Sequence, residues 1–281
     1  LMLKAKFLIG GIITKVNMKI GILSDLHLFN KTANVERALS KLEDLDMLLL
    51  VGDLADRAEE KQYDVLLKLL TNHFNSVPIY CVSGNHDNPA RNDANYRMFE
   101  RRINREYPSI ADESGAFYKY IDEKLDLIGL NPVYHQKQFF FPEKGQQLAF
   151  LEEQLSISSS RYHIVMCHPP LIAHNPQRKE GAASYITGEQ DKRLQRIIDE
   201  KGSVFFISGH THVSPSVEFD EIHSNLYIND GSICPTTIKD HSGETQQGNV
   251  TILSISENKL SVAAKGIYTG EVLVEQSVEL L

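Results

Sequence analysis

Short apolar runs alternate with longer amphipathic stretches along most of the chain. Ile20–Ser24, Leu48–Val51, Ile79–Ser83, Ile164–Cys167 and Val204–Ser208 are nearly unbroken apolar runs, which predicts buried strands. Val35–Glu43, Tyr63–Phe74 and Asp191–Lys201 carry apolar residues at helical spacing. Strand following helix in this way predicts an α/β architecture. After about residue 225 the pattern changes to strands alone, at Leu226–Ile228, Asn249–Ile255 and Ser261–Ala264, separated by Gly- or polar-rich turns. That late stretch predicts a second sheet packed on the first.

The start of the chain reads differently. LMLKAKFLIGGIITKVN precedes Met18, and Met18–Leu23 is already a full first strand, so residues 1–17 read as an extension upstream of a start at Met18. The apolar run Phe7–Ile13 is too short to span a bilayer. Lys4 and Lys6 resemble the start of a signal peptide, but Thr14-Lys15-Val16-Asn17 offers no small-residue cleavage site. The sequence therefore favours a cytoplasmic protein over a secreted one, with residues 18–281 forming one domain.

Composition adds exclusions. With 42% hydrophobic and 23% charged residues in 281, the chain has an ordinary globular balance and needs no staples. Its net charge of −8 argues against a broad nucleic-acid surface, although bound metal ions can reverse the sign locally. Cys81, Cys167 and Cys234 are odd in number and widely spaced, which suggests neither a disulfide framework nor a sulfur-rich metal knot.

Five polar clusters each directly follow a predicted strand: Asp25-Leu26-His27, Gly52-Asp53, Gly84-Asn85-His86-Asp87, His168-Pro169-Pro170 and Gly209-His210-Thr211-His212. Ligands of α/β sheets collect at the carboxyl ends of strands, so the five loops converge on one cleft. Asp and neutral His suit Mn, Fe or Zn, and Asn adds a carbonyl oxygen without charge. Alternation lets both polar side chains of Asp25-x-His27 and of His210-x-His212 point the same way, and Gly52, Gly84 and Gly209 let the backbone turn sharply off a buried strand.

This ordered set resembles the calcineurin-like metallophosphoesterases, from Asp25 to His212. The resemblance implies a four-layer αββα sandwich, two mixed β-sheets flanked by helices, with the β-rich tail completing the second sheet. It implies two metal ions: Asp25, His27 and His212 hold the first, Asn85, His168 and His210 the second, and Asp53 bridges both. A metal-bridging hydroxide would attack the phosphoester, and His86 would donate a proton to the leaving group. Gly52-Asp53-Leu54-Ala55-Asp56-Arg57 resembles the protein-phosphatase branch, where the second Asp orients that His and the Arg touches phosphate; Asp56 and Arg57 match, while the rest of that branch's pattern is absent. Two divalent ions against Asp25 and Asp53 (+4 − 2) leave a formal +2, which attracts phosphate into a chain of net −8.

The expected activity is therefore metal-dependent phosphoester hydrolysis on a small phosphorylated substrate, nucleotides included. His168-Pro169-Pro170 and the compact length resemble the bacterial cyclic-nucleotide-phosphodiesterase-like branch. The alternatives are a protein or small-molecule phosphatase, a DNA nuclease subunit, and a non-catalytic binding protein that keeps the fold. Two segments are candidates for substrate selection. One is Asn88–Tyr107, with Arg91, Arg97, Arg101, Arg102 and Arg105, which reads otherwise as a solvated helix face balanced by Glu100 and Glu106. The other is His174–Tyr185, with Arg178 and Lys179. His135 follows a strand-like run and is a candidate to reach the cleft, whereas His73, His163, His223 and His241 have no motif context. The sequence leaves the substrate, the metal pair and the oligomeric state open.

Overall fold

The structure, a computed structural model, describes residues 18–30, 32–88, 93–103, 110–111, 114–177, 186–235 and 248–279. Residues 1–17 lie outside that set, as do Arg91, Arg105, Arg178, Lys179 and His241.

Two large mixed sheets carry the architecture. In the first, β1 (Met18–Leu23) pairs in parallel with β2 (Met47–Val51), and β2 in parallel with β3 (Ile79–Val82). On its other side β1 meets β13 (Asn249–Ile255), then β14 (Lys259–Gly266) and β15 (Val272–Glu279), all antiparallel. The second sheet is centred on three parallel strands, β6 (Leu125–Leu130), β9 (Tyr162–Cys167) and β10 (Val204–Ser208). Parallel β12 (Asn225–Asn229) and antiparallel β11 (Ser216–Asp220) extend one edge, β5 (Phe117–Tyr120) and β4 (Ile110–Ala111) the other. A hairpin of β7 (Val133–His135) and β8 (Gln138–Phe140) stands apart.

The apolar runs are unbroken because both faces of these strands are covered. Met47, Leu49 and Val51 of β2 face the core between the sheets, against Ile164, Met166 and Phe205. Leu48 and Leu50 face outward, under α1 (Ala33–Leu39), α2 (Glu60–His73) and α3 (Ala94–Ile103), which contribute Val35, Leu66, Leu70, Tyr96 and Phe99. On the far side α4 (Pro142–Ile157) and α5 (Gly188–Lys201) lay Leu148, Leu151, Leu194 and Ile198 on Ile128, Val165 and Phe206. Helix, sheet, sheet, helix is the four-layer order the resemblance implies.

The tail departs from expectation. Its strands β13–β15 extend the first sheet beside β1, in register Ile20↔Leu253, while β11 and β12 join the second. Strand periodicity fixes which face is buried, not which edge a strand pairs with. Helix α1 also stops at Leu39, short of Glu43, with the Ser40 N–H bonded to Glu36. Among the described residues, no helix is long and apolar enough to cross a membrane.

Candidate metal centre

The carboxyl ends of strands from both sheets meet at one place. Asp25 and His27 follow β1, Asp53 follows β2, Asn85 and His86 follow β3, His168 follows β9, and His210 and His212 follow β10. The loops are tied together by backbone hydrogen bonds, Asp25 N–H to Gly52 O at 3.0 Å, His27 N–H to Asp53 O at 2.9 Å and Gly209 N–H to His168 O at 2.9 Å.

Strand alternation does not aim the paired side chains. Strand β1 ends at Leu23, and Asp25, His27, Asp53, His210 and His212 all have left-handed backbones, with φ of 52°, 41°, 51°, 71° and 51°. Each such non-glycine residue costs on the order of 1–3 kcal/mol and persists where its surroundings over-determine it. The glycines likewise act differently from expectation. Gly52 does turn, at φ 87°. Gly84 and Gly209 instead make room, since a Cβ would sit 2.1 Å from Asp53 Oδ1 and 2.6 Å from Asp25 Oδ2 respectively.

Two clusters result. In the first, His27 Nε2 and His212 Nε2 are 2.9 Å apart, and Asp25 Oδ1 is 2.9 Å from His212 Nε2. In the second, Asp53, His168 and His210 bring a ligand atom each within 4.8 Å of one another. Asp53 Oδ2 lies 3.6 Å from His27 Nε2 and 3.4 Å from His168 Nε2, between the two. Asn85 presents a buried Oδ1 with no hydrogen-bond partner, and His168 Nε2 and His210 Nδ1 share that condition. Buried polar atoms are rarely left unsatisfied. Three orphans among the expected ligands, all potential metal donors, fit a pair of divalent cations.

The electrostatics point the same way. Burial alone would raise the Asp25 and Asp53 carboxyls, but the neighbouring histidines outweigh it, and both are held below the usual carboxylate range, Asp25 at about 2. Burial opposes a charge on His168, yet Asp53 and Asp25 raise it to about 9. His210 is pushed down to about 3, first by burial and then by His168. Two buried carboxylates thus stay ionised and draw cationic charge onto adjacent imidazoles, a demand that metal ions meet while the histidines stay neutral.

His86 stands at the rim, its side chain 40% exposed. Its backbone N–H donates to Asp53 Oδ1 at 2.7 Å, and its ring meets His27 edge-on, with centroids 4.5 Å apart. Asp56 meets it through its backbone, not through the carboxylate that the protein-phosphatase pattern uses. His86 Nδ1 lies 2.7 Å from the Asp56 backbone carbonyl, and the carboxylate is 3.9 Å away. Arg57 is exposed and lies over the Phe29 ring at 4.4 Å.

Sequence reasoning missed the residues that hold these loops. Asp87 is fully buried and accepts from Leu54 N, Ala55 N, Gly84 N and Tyr63 OH, binding the loop after β2 to the loop after β3. Burial and then Asp53 raise its carboxyl to about 6. It sits inside the quoted Gly84–Asp87 cluster, so the signal was there without the role. Asn229 ties down the last loop by donating to Gly209 O at 2.8 Å and accepting from Thr211 Oγ1 at 2.7 Å. Nothing in its local sequence marks it.

Of the selection candidates, α3 behaves as a helix face: Arg97 pairs with Asp93 and Glu100, and Arg102 with Asp64. His135 is exposed on β7, opposite Gln138, whereas Phe139 of the same hairpin packs edge-on against His210 at 5.1 Å. His163 is a buried partner of Asp126 at 2.7 Å.

A sandwich of two mixed sheets with Asp, Asn and His at its strand ends defines a metal-binding phosphoesterase architecture. The chain belongs to the calcineurin-like phosphoesterase family, whose model matches residues 18–214. It is 21% identical over 232 residues to a probable cyclic nucleotide phosphodiesterase of Fibrobacter succinogenes, covering 76% of this chain and 80% of that one. It is 24% identical to a probable cyclic nucleotide phosphodiesterase of Psychrobacter arcticus, covering 64% of this chain and 61% of that one. Among solved structures, a dimetal phosphatase from Danio rerio superposes with a TM-score of 0.66 at 14% identity over 93% of this chain and 98% of that chain. A purple acid phosphatase from yellow lupin (Lupinus luteus) seeds gives 0.69 at 14%, over 94% and 54%. At such identities these structures show the fold.

Proposed function

We propose that this phosphoesterase works with two transition-metal ions and cleaves small phosphodiesters, cyclic nucleotides among them. The observation that carries the metal assignment is the convergence of three unpartnered buried donors, Asn85 Oδ1, His168 Nε2 and His210 Nδ1, beside the buried carboxylates of Asp25 and Asp53. Asp25, His27 and His212 hold one ion, Asn85, His168 and His210 the other, and Asp53 serves both. Bound there, Mn, Fe or Zn supplies Lewis-acid polarisation of the phosphoryl group and activation of water at neutral pH.

The chain's own residues supply the rest. His86 is anchored by donating its Nδ1–H to the Asp56 carbonyl, so that in the imidazolium form its Nε2–H gives a proton to the leaving oxygen and the ring is left neutral. Arg57, exposed beside Asp56, offers a guanidinium to the phosphate. The curated relatives' names support a diester, and three unpaired cysteines support a reducing compartment, the cytoplasm. The test is metal analysis together with hydrolysis of a chromogenic phosphomonoester and phosphodiester in added Mn, Fe or Zn. Faster turnover of the diester supports the reading; faster turnover of the monoester replaces it with a phosphatase, and no metal-dependent turnover of either refutes it.

A further inference from the structure

A cavity of about 340 Å³ opens beside the ligand histidine His27. Leu26 and Val35 are buried in its apolar wall, and Phe29, 38% exposed, is the large side chain that lines it. Asn30 and Asn34 supply amides, and Cys234 supplies a thiol. Among the described residues, no Asp, Glu, Lys or Arg lines it.

Each feature narrows what fits. The volume stands at the small end of ligand pockets, roughly 300–1,000 Å³, which suits one ring system and not a peptide or a polymer. An exposed aromatic face over an aliphatic floor favours a flat ring. Phe29 is held in place by the Arg57 guanidinium, 4.4 Å from the ring centroid. The Asn34 amide is fixed at both ends: its Oδ1 accepts from Tyr268 OH, and its Nδ2 lies 4.0 Å from Cys234 Sγ. Asn30 is exposed and lines the cavity, so its amide can donate to and accept from the edge of a ring. The uncharged lining wants a neutral group, while the adjoining centre wants the charged phosphate.

From this juxtaposition we infer that the cavity at Phe29 is a nucleobase subsite, and that the substrate is a nucleoside phosphoester. The inference rests on the phosphoesterase reading and narrows it from any small phosphoester to one carrying a base. Arg57 then has two tasks, stacking on Phe29 and facing the phosphate.

The chain contains no tryptophan, so Phe29→Trp introduces a single fluorophore into the cavity wall. Adenosine 5′-monophosphate should quench its emission saturably in the metal-loaded protein. Ribose 5-phosphate, equally charged and without a base, should not. An equal response to both, or none to the nucleotide, overturns the subsite. A second comparison uses kinetics on esters with one leaving group, thymidine 5′-(p-nitrophenyl phosphate) and methyl p-nitrophenyl phosphate. Phe29→Ala should raise KM for the nucleoside ester about 5- to 150-fold more than for the methyl ester, the size of one base–aromatic stack. Equal effects on the two esters again overturn it. If the wild-type protein cleaves neither ester, the phosphodiesterase reading fails, and the quenching experiment still decides what the cavity binds.

Discussion

His27 and His212 bring their Nε2 atoms to 2.9 Å across 185 residues of sequence, and Asp25 Oδ1 stands 2.9 Å from the second of them. Two imidazole nitrogens and a carboxylate converging in a largely buried space make a site that a cation relieves. His212→Ala should therefore lower saturated metal content from two ions per chain to one. His210→Ala should do the same at the other cluster, and the double variant should hold none. Elemental analysis after reconstitution reads this directly. A wild-type ratio near zero or one removes the two-ion reading.

Asp53 is the residue both clusters share, with Oδ2 3.6 Å from His27 Nε2 and 3.4 Å from His168 Nε2. Its Oδ1 also accepts the His86 N–H at 2.7 Å. Asp53→Asn should weaken both metals together and reduce hydrolysis at least about 10³-fold, while circular dichroism still reports the wild-type fold. Near-normal turnover at trace metal would show that Asp53 does not bridge.

The sequence made the site's ingredients legible because each ligand cluster sits at the end of an apolar run. Five strand ends with Asp, Asn or His were enough to locate the cleft. What the sequence did not contain was the mechanism of aiming. Left-handed backbones occur at Asp25, His27, Asp53, His210 and His212; cross-loop hydrogen bonds hold the first four, and the mild tolerance of Asp and His for that conformation is too weak a local signal to announce them. The same holds for β6 (Leu125–Leu130) and α4 (Pro142–Ile157), which the apolar pattern passed over. Strand β6 includes a Gly and a buried Asp126 within its run, and the N-terminal part of α4 is largely polar. Which sheet the tail strands join is set by the free edge of β1, a tertiary fact.

Asp87 is expected to matter as much for the fold as for the site. Asp87→Ala strands three buried backbone N–H groups and the Tyr63 hydroxyl. At about 1–3 kcal/mol for each buried group left unpaired, and with partial relief by water, the loss should be at least about 3 kcal/mol. Tyr63→Phe removes one of the four bonds and keeps the packing, so it should lose about 1 kcal/mol. Denaturant midpoints of the two variants check the ranking. Equal losses would mean that Asp87 holds the loops through Tyr63 alone.

Asp230 gives a pH signature at a carboxyl outside the candidate ligand set that nevertheless feels the Asp25 charge. Its carboxyl is completely buried, and burial pushes it well above the ordinary 3.8. A folded state that binds a proton the unfolded chain has released loses stability as pH rises from 3.8 towards the folded value. The slope reaches about 1.4 kcal/mol per pH unit for one group. Asp230→Asn has no such proton, so between pH 5 and pH 7 its stability should improve relative to wild type. Urea unfolding at the two pH values measures the difference. A constant difference would mean that Asp230 is already ionised in the fold.

His86 separates metal binding from proton transfer. It adjoins Asn85, whose buried Oδ1 has no hydrogen-bond partner, yet its own ring stands at the rim with Nδ1 on the Asp56 carbonyl. His86→Asn should keep both metals and slow esters with poor leaving groups by about 10²–10⁴-fold. Esters of nitrophenol need little protonation and should lose far less. Because the orienting contact is a backbone carbonyl, Asp56→Asn leaves it in place and should retain the wild-type leaving-group dependence within a few-fold. The carboxylate-orienting pattern of protein phosphatases would instead give Asp56→Asn a weaker copy of the His86→Asn profile. A rate series over leaving groups of different pKa, with metal content measured on each variant, distinguishes the two. Loss of a metal from His86→Asn, or an equal loss for every leaving group, would make His86 a ligand or a structural residue and return the proton donor to solvent.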